Sequence, residues 1–156
     1  MAIRLAETKD IPALIELLQQ VGQVHHEIRP DIFQPTCQKY DEGALAELLQ
    51  DESRPVFVAE DEKVRGYCFC ILRFFEGESV MTDRRELYID DLCVDENCRG
   101  QGVAKALYAY VTDYAKSIGC TFITLNVWNG NDNAMKFYEK LGLRPQKTYM
   151  EAVLGE

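Results

Sequence analysis

The sequence has few basic residues and no long apolar run. Lys and Arg number 17 against 26 Asp and Glu, which gives a formal net charge of -9. Because binding to nucleic acid or to anionic membranes depends on basic patches, this balance argues against both kinds of partner. No apolar run reaches the roughly 18 residues of a membrane-spanning helix, and residues 1–20 mix charged and apolar side chains, unlike a secretory signal. We therefore expect a cytoplasmic location and no membrane partner.

The sequence also lacks the patterns of metal sites and disulfides. The six cysteines, at positions 37, 68, 70, 93, 98 and 120, form no Cys-x-x-Cys pair. His25 and His26 are adjacent, so their side chains point apart, and no third ligand follows at a zinc-site spacing. We predict buried free thiols, with an internal disulfide as the less favoured alternative, and no metal. The length of 156 residues fits a single domain over residues 1–156.

The distribution of apolar and turn residues predicts alternating strands and helices. The predicted order is a strand at 3–5, a helix from Asp10 to Gly22, an irregular segment at 23–40, a helix at 41–50, strands of a hairpin at 56–60 and 64–74, a polar connection at 75–85, a strand at 87–94, a helix from 103 to Gly119, a strand at 120–127, a helix at 131–141 and strand material at 144–154. Strand, helix and strand in succession from 87 to 127 predict a parallel crossover.

Two predicted connections are long enough to serve a function. The segment 23–40 contains Pro30 and Pro35 and shows little periodicity, which is typical of loops that cover a substrate. For the polar connection 75–85 three roles are open: it flanks the substrate mouth, it forms the contact of a homodimer, or it is a solvated loop.

The central strand contains a change of parity. Its apolar residues fall first at Leu87 and Ile89 and then at Leu92 and Val94. A strictly alternating strand cannot place both pairs on one face. We predict a β-bulge at the intervening pair, Asp90 and Asp91, provided that both apolar pairs share a face.

A glycine-bearing turn links this strand to the following helix, in the order Arg99-Gly100-Gln101-Gly102-Val103-Ala104. The first turn of a helix has unpaired N–H groups and the positive end of the peptide dipoles, so it favours phosphate. Gly100 and Gly102 let a phosphate approach the backbone without a Cβ in the way. The P-loop and dinucleotide fingerprints do not match, because Gly102 is followed by Val-Ala and Lys105 replaces the third glycine.

This hexapeptide resembles the acetyl-CoA loop, Arg/Gln-x-x-Gly-x-Gly/Ala, of the GNAT superfamily of N-acetyltransferases. About thirty residues downstream, Asn131 to Leu143 resembles the second signature of that family, N-x-x-A-x-x-φ-Y-x-x-x-G-φ, where φ is apolar. The predicted element order is similar to the family fold. The resemblance implies an α/β (α+β) protein with a mixed, twisted sheet of about six to seven strands flanked by about four helices.

The resemblance also implies where the cosubstrate acetyl-CoA binds. In the family the two parallel strands splay apart, and pantetheine binds the exposed backbone of the first strand, here Leu92, Cys93 and Val94. The pyrophosphate would lie on the N–H groups of Arg99, Gly100, Gln101, Gly102, Val103 and Ala104, with Arg99 adding a positive charge. Asn131 would cap its helix and contact the cosubstrate.

Amide formation from an amine needs a base for the amine and an acid for the departing thiolate. The strand YIDDLCV resembles that of diamine acetyltransferases, which makes Asp90 the first candidate base and Asp91 the second. The alternative is that both acids are merely solvated at a strand kink. Tyr138 matches the general acid of the family, whereas helical periodicity alone would place it in the core.

We therefore expect an acetyl-CoA-dependent N-acetyltransferase that acts on a primary amine by direct attack in a ternary complex. A small-molecule amine is the first expectation. Acidic residues near the proposed site favour an amine with a second positive charge, although the same residues could serve only solubility. The alternatives are a protein lysine or N-terminal acetyltransferase, and a non-catalytic acetyl-CoA-binding regulatory module.

Overall fold

The structure, a computed structural model, describes residues 1–155. The described residues divide into two units, Met1–Asn126 and a second unit that begins at Val127. The first unit contains β1 (Ala2–Leu5), α1 (Ile11–Ile28), α2 (Glu42–Leu48), β2 (Val56–Glu60), β3 (Val64–Phe75), β4 (Arg84–Val94), α3 (Val103–Ser117) and β5 (Phe122–Leu125). The second unit contains α4 (Asp132–Lys140).

The strands of the first unit form one sheet in the order β1-β2-β3-β4-β5. Neighbouring strands are antiparallel except β4 and β5, which are parallel and are connected through α3. This arrangement confirms the predicted hairpin and the predicted parallel crossover. The mixed α/β class is also confirmed.

Each face of this sheet carries an apolar core. On the first face, residues of α1 and α2 spaced three or four apart pack against alternate strand residues; the members include Leu14, Leu17, Leu18, Leu45, Leu48, Val58, Tyr67 and Phe69. On the second face, α3 contributes a stripe at intervals of four to a core that includes Phe57, Leu87, Ile89, Val103, Leu107, Val111 and Ala115. We call these the α1 face and the α3 face. Burial on both sides explains why β2 reads as a continuous apolar run.

α1 begins where the sequence predicted, with Pro12 in its first turn, but it ends at Ile28, so the predicted end at Gly22 is wrong. Gly22 lies inside the helix and is buried, and a Cβ on it would overlap the carbonyl oxygen of Cys37. Glycine in a helix interior costs about 1 kcal/mol relative to alanine. Here it permits close packing of the irregular segment between α1 and α2, which we call the 29–41 segment.

The predicted final strand is wrong. Residues 144–155 form neither helix nor strand, and Tyr149, Val153 and Leu154 are 97%, 81% and 98% exposed. A strand needs a neighbour to bind its backbone, and a β-like side-chain pattern cannot indicate whether that neighbour is present. The sheet of the described residues consequently has five strands rather than the expected six to seven. The helix count of four matches the expectation.

Candidate active site

The predicted β-bulge is confirmed in β4. Phe69 of β3 lies opposite Asp91, and the next residue of β3, Cys70, lies opposite Ile89, so Asp90 is the extra residue. The bulge brings the two apolar pairs of β4 onto one face: Leu87, Ile89, Leu92 and Val94 all pack on the α3 face.

The bulge also brings both acids to the α1 face. Asp90 contacts Tyr40, which packs against the core of that face, and Asp91 contacts Tyr67 within the same core. Two consecutive residues of a regular strand would point to opposite faces. The bulge therefore places two carboxylates side by side, where unperturbed alternation would separate them.

Three side chains converge on one oxygen of Asp90. The Lys39 ammonium donates a hydrogen bond to Oδ2 at 2.7 Å, and the Tyr40 hydroxyl donates to the same oxygen at 3.3 Å. The Arg54 guanidinium lies 4.0 Å from Oδ2 and donates to the Tyr40 hydroxyl at 2.8 Å. The side chain of Asp90 is 13% exposed, so it is not a solvated acid, whereas that of Lys39 is 47% exposed.

Lys39 brings a primary ammonium to this carboxylate. Burial disfavours its charged form, but the hydrogen bond and the charge of Asp90 outweigh burial, so the pKa of Lys39 is raised. The side chain is therefore an ammonium at neutral pH. The Lys39 contact therefore shows that Asp90 can bind a primary alkylammonium.

Asp91 has a different environment. The hydroxyl of Tyr67, a residue with 0% exposure, donates to Asp91 Oδ2 at 2.5 Å. Burial of Asp91 raises its pKa to about 6, against the opposing effects of the Tyr67 hydrogen bond and the Lys39 charge. This carboxyl group can therefore take up and release a proton near neutral pH.

β4 extends beyond β5 at its carboxyl end. The parallel pairing begins at Glu86 and Phe122 and ends at Ile89 and Leu125, while β4 continues to Val94 with β3 on its other side. In the described part of the chain, the backbone of the last β4 residues has no strand partner on the β5 side. The strand pairing needed for the predicted cosubstrate site therefore ends at Ile89, one residue before the bulge.

The side chains of this exposed stretch are oriented by the two cores. Leu92 and Val94 pack on the α3 face, and Cys93 is buried on the α1 face. The Cys93 thiol donates to the carbonyl oxygen of Leu17 at 3.6 Å, and burial raises its pKa to about 12. Cys93 is therefore a protonated packing residue rather than a nucleophile.

The loop from Arg99 to Ala104 leads into α3 with two glycines in the left-handed region, Gly100 at φ +79° and Gly102 at φ +81°. No atom would lie within 4 Å of a Cβ at either glycine, so backbone conformation rather than crowding requires them. Gly102 precedes the first residue of α3, and its carbonyl oxygen accepts from Ala106 N at 3.0 Å. The buried Val103 anchors the helix start, and Gln101 is exposed beside it.

The second unit carries the remaining predicted site residues on α4. Asn131 caps this helix as predicted, because its side chain accepts from Ala134 N at 3.3 Å. None of the α4 residues is buried, and the ring of Tyr138 lies 5.0 Å from that of Phe137. Tyr138 is half-buried, and both its predicted role as the general acid and the alternative of a core residue stay predictions.

Sequence reasoning missed four residues that surround the two acids: Lys39, Tyr40, Arg54 and Tyr67. Tyr67 had a weak signal, because it lies on an apolar strand and a buried tyrosine hydroxyl requires a partner. The other three lie in or next to irregular segments and match no motif. Their contacts to Asp90 join residues 36 to 51 positions apart in sequence, which local patterns do not encode.

Within residues 1–155, no three His, Cys, Asp or Glu side chains form a cluster that could hold a metal ion. Over the same range, no helix is both long and apolar enough to cross a membrane. All six cysteines are free, and five of them are buried.

The chain is similar to known acetyltransferases. The Acetyltransferase (GNAT) family matches residues 18–143. YwnH of Bacillus subtilis, which is named for a phosphinothricin acetyltransferase activity, is 27% identical over 142 residues, 91% of this chain and 83% of the relative. The thialysine N-epsilon-acetyltransferase of Bos taurus is 34% identical over 58 residues, 37% of this chain and 34% of the relative. The crystal structure of a mutant BH1408 protein from Bacillus halodurans has a TM-score of 0.93 and 34% identity, and covers 99% of both chains.

Proposed function

Because the chain belongs to the acetyltransferase (GNAT) family and is an N-acetyltransferase, we propose that it transfers the acetyl group of acetyl-CoA to a small primary amine. The amine attacks the thioester directly in a ternary complex. The observation that carries this proposal is the ion pair between the Lys39 ammonium and Asp90. It holds a primary alkylammonium at the bulge, next to the point where β4 leaves β5.

The cosubstrate site proposed for acetyl-CoA combines an exposed strand edge with a helix start. The backbone groups of Leu92, Cys93 and Val94 are available to the pantetheine amides, as they would be to a missing strand. The loop of Arg99, Gly100, Gln101, Gly102, Val103 and Ala104 offers N–H groups to the pyrophosphate, and the open backbone at its glycines fits an anion of that size. Arg99 supplies a positive charge, and Asn131 a side-chain amide from α4.

The proton transfers are assigned to the two acids and a tyrosine. Asp90 is the first candidate base, because it can bind the acceptor ammonium directly. Asp91 is the second, because a pKa of about 6 suits a base that works near neutral pH. We propose Tyr138 as the acid that protonates the departing thiolate. Its half-buried ring on α4 is compatible with that role.

The proposed acceptor resembles a lysine side chain. Lys39 presents such an amine to Asp90, and one relative is named for acetylation of the ε-nitrogen of thialysine, a lysine analogue. The Lys39 side chain is 47% exposed and that of Asp90 is 13% exposed, and we assign to this pair about 1 kcal/mol, the upper end for ion pairs open to solvent. An acceptor amine that displaces Lys39 therefore loses at most about fivefold in affinity.

We also propose that the acceptor carries a second positive charge, although the structure changes the reason for expecting it. Lys39 and Arg54 both lie near Asp90, so they offset part of the negative potential that the sequence suggested. Glu86 is bound to Thr124, and Asp83 accepts from Gly77 N at 3.1 Å. A dicationic acceptor would interact with Asp91 as well as Asp90 after it has displaced Lys39.

Two alternatives to a small-molecule acceptor are a protein lysine acceptor and a non-catalytic module. A protein lysine acceptor is also compatible with Asp90, because Lys39 itself belongs to a polypeptide, and a non-catalytic module would bind acetyl-CoA without releasing thiol. The test is acetyl-CoA-dependent thiol release with monoamines, diamines, polyamines, amino acids and a lysine-containing peptide. Turnover with a free amine supports the proposal, and turnover with the peptide alone supports the protein acceptor. If a folded protein that binds acetyl-CoA releases no thiol with any of these compounds, the result supports the non-catalytic module.

A homodimer is proposed as the assembly. In the connection between β3 and β4, Val80 is 93% exposed and Met81 is 43% exposed. These features support an interface more than a solvated loop. Light scattering at several concentrations measures the mass, and a monomer throughout would contradict the proposal. The single domain and the cytoplasmic location stay predictions.

A further inference from the structure

The Lys39–Asp90 contact is fixed by the packing of the 29–41 segment. The thiol of Cys37 donates to the carbonyl oxygen of Gly22 at 3.3 Å, and Gln38 bonds both to Gln19 at 2.9 Å and to the carbonyl oxygen of Tyr40 at 2.8 Å. The absence of a Cβ at Gly22 permits this approach. Residues on both sides of Lys39 are therefore anchored, and its ammonium is directed at Asp90.

We propose that Lys39 is an acceptor within the chain: the protein acetylates the ε-nitrogen of its own Lys39, and this modification frees Asp90 for external amines. The inference rests on the proposed function, because it uses the same base and the same acetyl donor. It follows from geometry, since Lys39 Nζ is 2.7 Å from Asp90 Oδ2 at the carboxylate assigned to the acceptor.

The chemical step is balanced with acetyl-CoA as the only co-reactant. The Lys39 ammonium first gives one proton to Asp90, and its lone pair attacks the thioester carbonyl carbon. A C–N bond forms, the C–S bond breaks with its electron pair on sulfur, and the second nitrogen proton goes to the thiolate. The products are Nε-acetyl-Lys39, coenzyme A thiol and one proton, which Asp90 returns to solvent.

Acetylation changes the charge around Asp90. An acetylated Lys39 carries no positive charge and cannot form an ion pair, whereas Arg54 and Tyr40 keep their contacts with the carboxylate and with each other. The local net charge becomes more negative by one. An external ammonium then meets Asp90 without a competing ammonium, so we expect tighter binding of cationic acceptors to the acetylated form.

The raised pKa of Lys39 affects the rate of self-acetylation. Because the ammonium is stabilised by Asp90, few molecules hold the neutral amine at any moment. The scarcity of the neutral amine therefore slows self-acetylation. It proceeds within one molecule, so its rate constant does not depend on protein concentration.

The experiment incubates the full chain with deuterated acetyl-CoA and follows label at each lysine by peptide mass spectrometry. Lys63 and Lys9 are matched controls, because each pairs with a carboxylate, Asp95 at 3.8 Å and Glu7 at 3.4 Å, and their side chains are 60% and 66% exposed. Unassisted chemical acetylation would label these more exposed lysines at least as fast as Lys39. We expect Lys39 to be labelled about tenfold faster or more, at a rate unchanged by dilution.

Two variants complete the test. Asp90→Asn, checked for folding by circular dichroism, should reduce labelling of Lys39 to the level of Lys63. Lys39→Arg should abolish that label while the controls are labelled as before. If Lys39 is labelled no faster than Lys63 in a protein that acetylates an external amine, the inference is wrong and the proposed function stands. If neither Lys39 nor any amine is acetylated although acetyl-CoA binds, the proposed function itself is wrong.

Discussion

The Tyr67 hydroxyl donates a hydrogen bond to Asp91 Oδ2 across the boundary between β3 and β4, at 2.5 Å. Tyr67 lies opposite Cys93 in the strand register, so Asp91 is its diagonal neighbour on the same face. Burial of the carboxylate outweighs its hydrogen bonds to the Tyr67 hydroxyl and to the backbone of Leu92, so the pKa of Asp91 is raised to about 6. The register of the two strands thus affects the pKa of Asp91, a candidate catalytic base.

Replacing Asp91 by Asn should stabilise the protein at pH 7.5 but not at pH 4. The folded-state pKa of about 6 lies above the ordinary value of 3.8, so the favourable contribution of the protonated carboxyl is present below about pH 4 and is lost as the pH rises through 6. Asn keeps an acceptor for Tyr67 and carries no charge. At pH 7.5 the gain is at most about 3 kcal/mol in free energy of unfolding, which urea denaturation measures. Equal stability of both proteins at both pH values would contradict the raised pKa.

The pH dependence of turnover should separate the roles of the two acids. If Asp91 is the base, kcat/KM for the acceptor rises with pH through an apparent pKa near 6, because the carboxylate must be ionised. Asp91→Asn should then remove that limb and lower kcat by about 10²-fold or more. In that case Asp90→Asn should mainly raise KM, because it removes the ammonium contact, whereas a large loss of kcat in Asp90→Asn would assign the base to Asp90. A limb near pH 6 that survives in Asp91→Asn would assign the base elsewhere.

Substituting Gly102 by Asp should abolish acetyl-CoA binding. The change places a side chain and a negative charge where the pyrophosphate is proposed to lie. Gly77→Asp is the matched control, because Gly77 also has a positive φ, +69°, no atom within 4 Å of a Cβ, and lies in the connection between β3 and β4. Both variants carry a similar backbone strain of about 1–2 kcal/mol. Isothermal calorimetry should show lost affinity only in Gly102→Asp, and unchanged affinity in a folded Gly102→Asp protein would end the cosubstrate assignment.

Replacing Tyr138 by Phe should slow turnover without unfolding the protein. The substitution keeps the ring that packs near Phe137 and removes only the hydroxyl. We expect kcat to fall by about 10²-fold, the lower end of general-acid contributions. Tyr149→Phe, at a position that is 97% exposed, is the control and should leave kcat unchanged. Unchanged kcat in Tyr138→Phe together with a lower melting temperature would indicate a structural role instead.

Acceptor charge should affect kcat/KM in a salt-dependent manner. We expect a dicationic amine to exceed a matched monocationic amine at low ionic strength and to lose that advantage at high salt, because ions screen Asp90 and Asp91. Lys39→Met should raise kcat/KM for both amines by up to about fivefold by removing the competing ammonium. Lys63→Met is the control on an exposed ion pair with Asp95. Equal values for both amines at every salt concentration would reject the electrostatic preference and leave the acetyltransferase assignment intact.

The elements that the sequence predicted correctly depend on neighbours in the chain. The parity change between Ile89 and Leu92 predicted the bulge, because alternation along a strand is a local property. The glycines at 100 and 102 predicted the turn into α3 for the same kind of reason, since a positive φ is a property of single residues. The cap at Asn131 involves a partner three residues away.

The predictions that failed needed information from distant residues. Gly22 indicated a helix end by itself, but its role is to accept the packing of Cys37, which lies 15 positions away. The segment 144–154 has a β-like pattern, but a strand forms only when a neighbour satisfies its backbone groups. In both cases the local pattern was compatible with two outcomes, and packing selected one.

The sequence by itself determined the family, the class of fold, the loop before α3 and the position of the two acids, because each of these depends on residue types at short spacing. Only the tertiary structure decided what surrounds those acids. Lys39 reaches Asp90 across 51 positions, and Tyr67 reaches Asp91 across 24. These contacts arise from the strand register and from the packing of the 29–41 segment. The charge and pKa of a site depend on such groups within a few ångströms, whatever their distance along the chain.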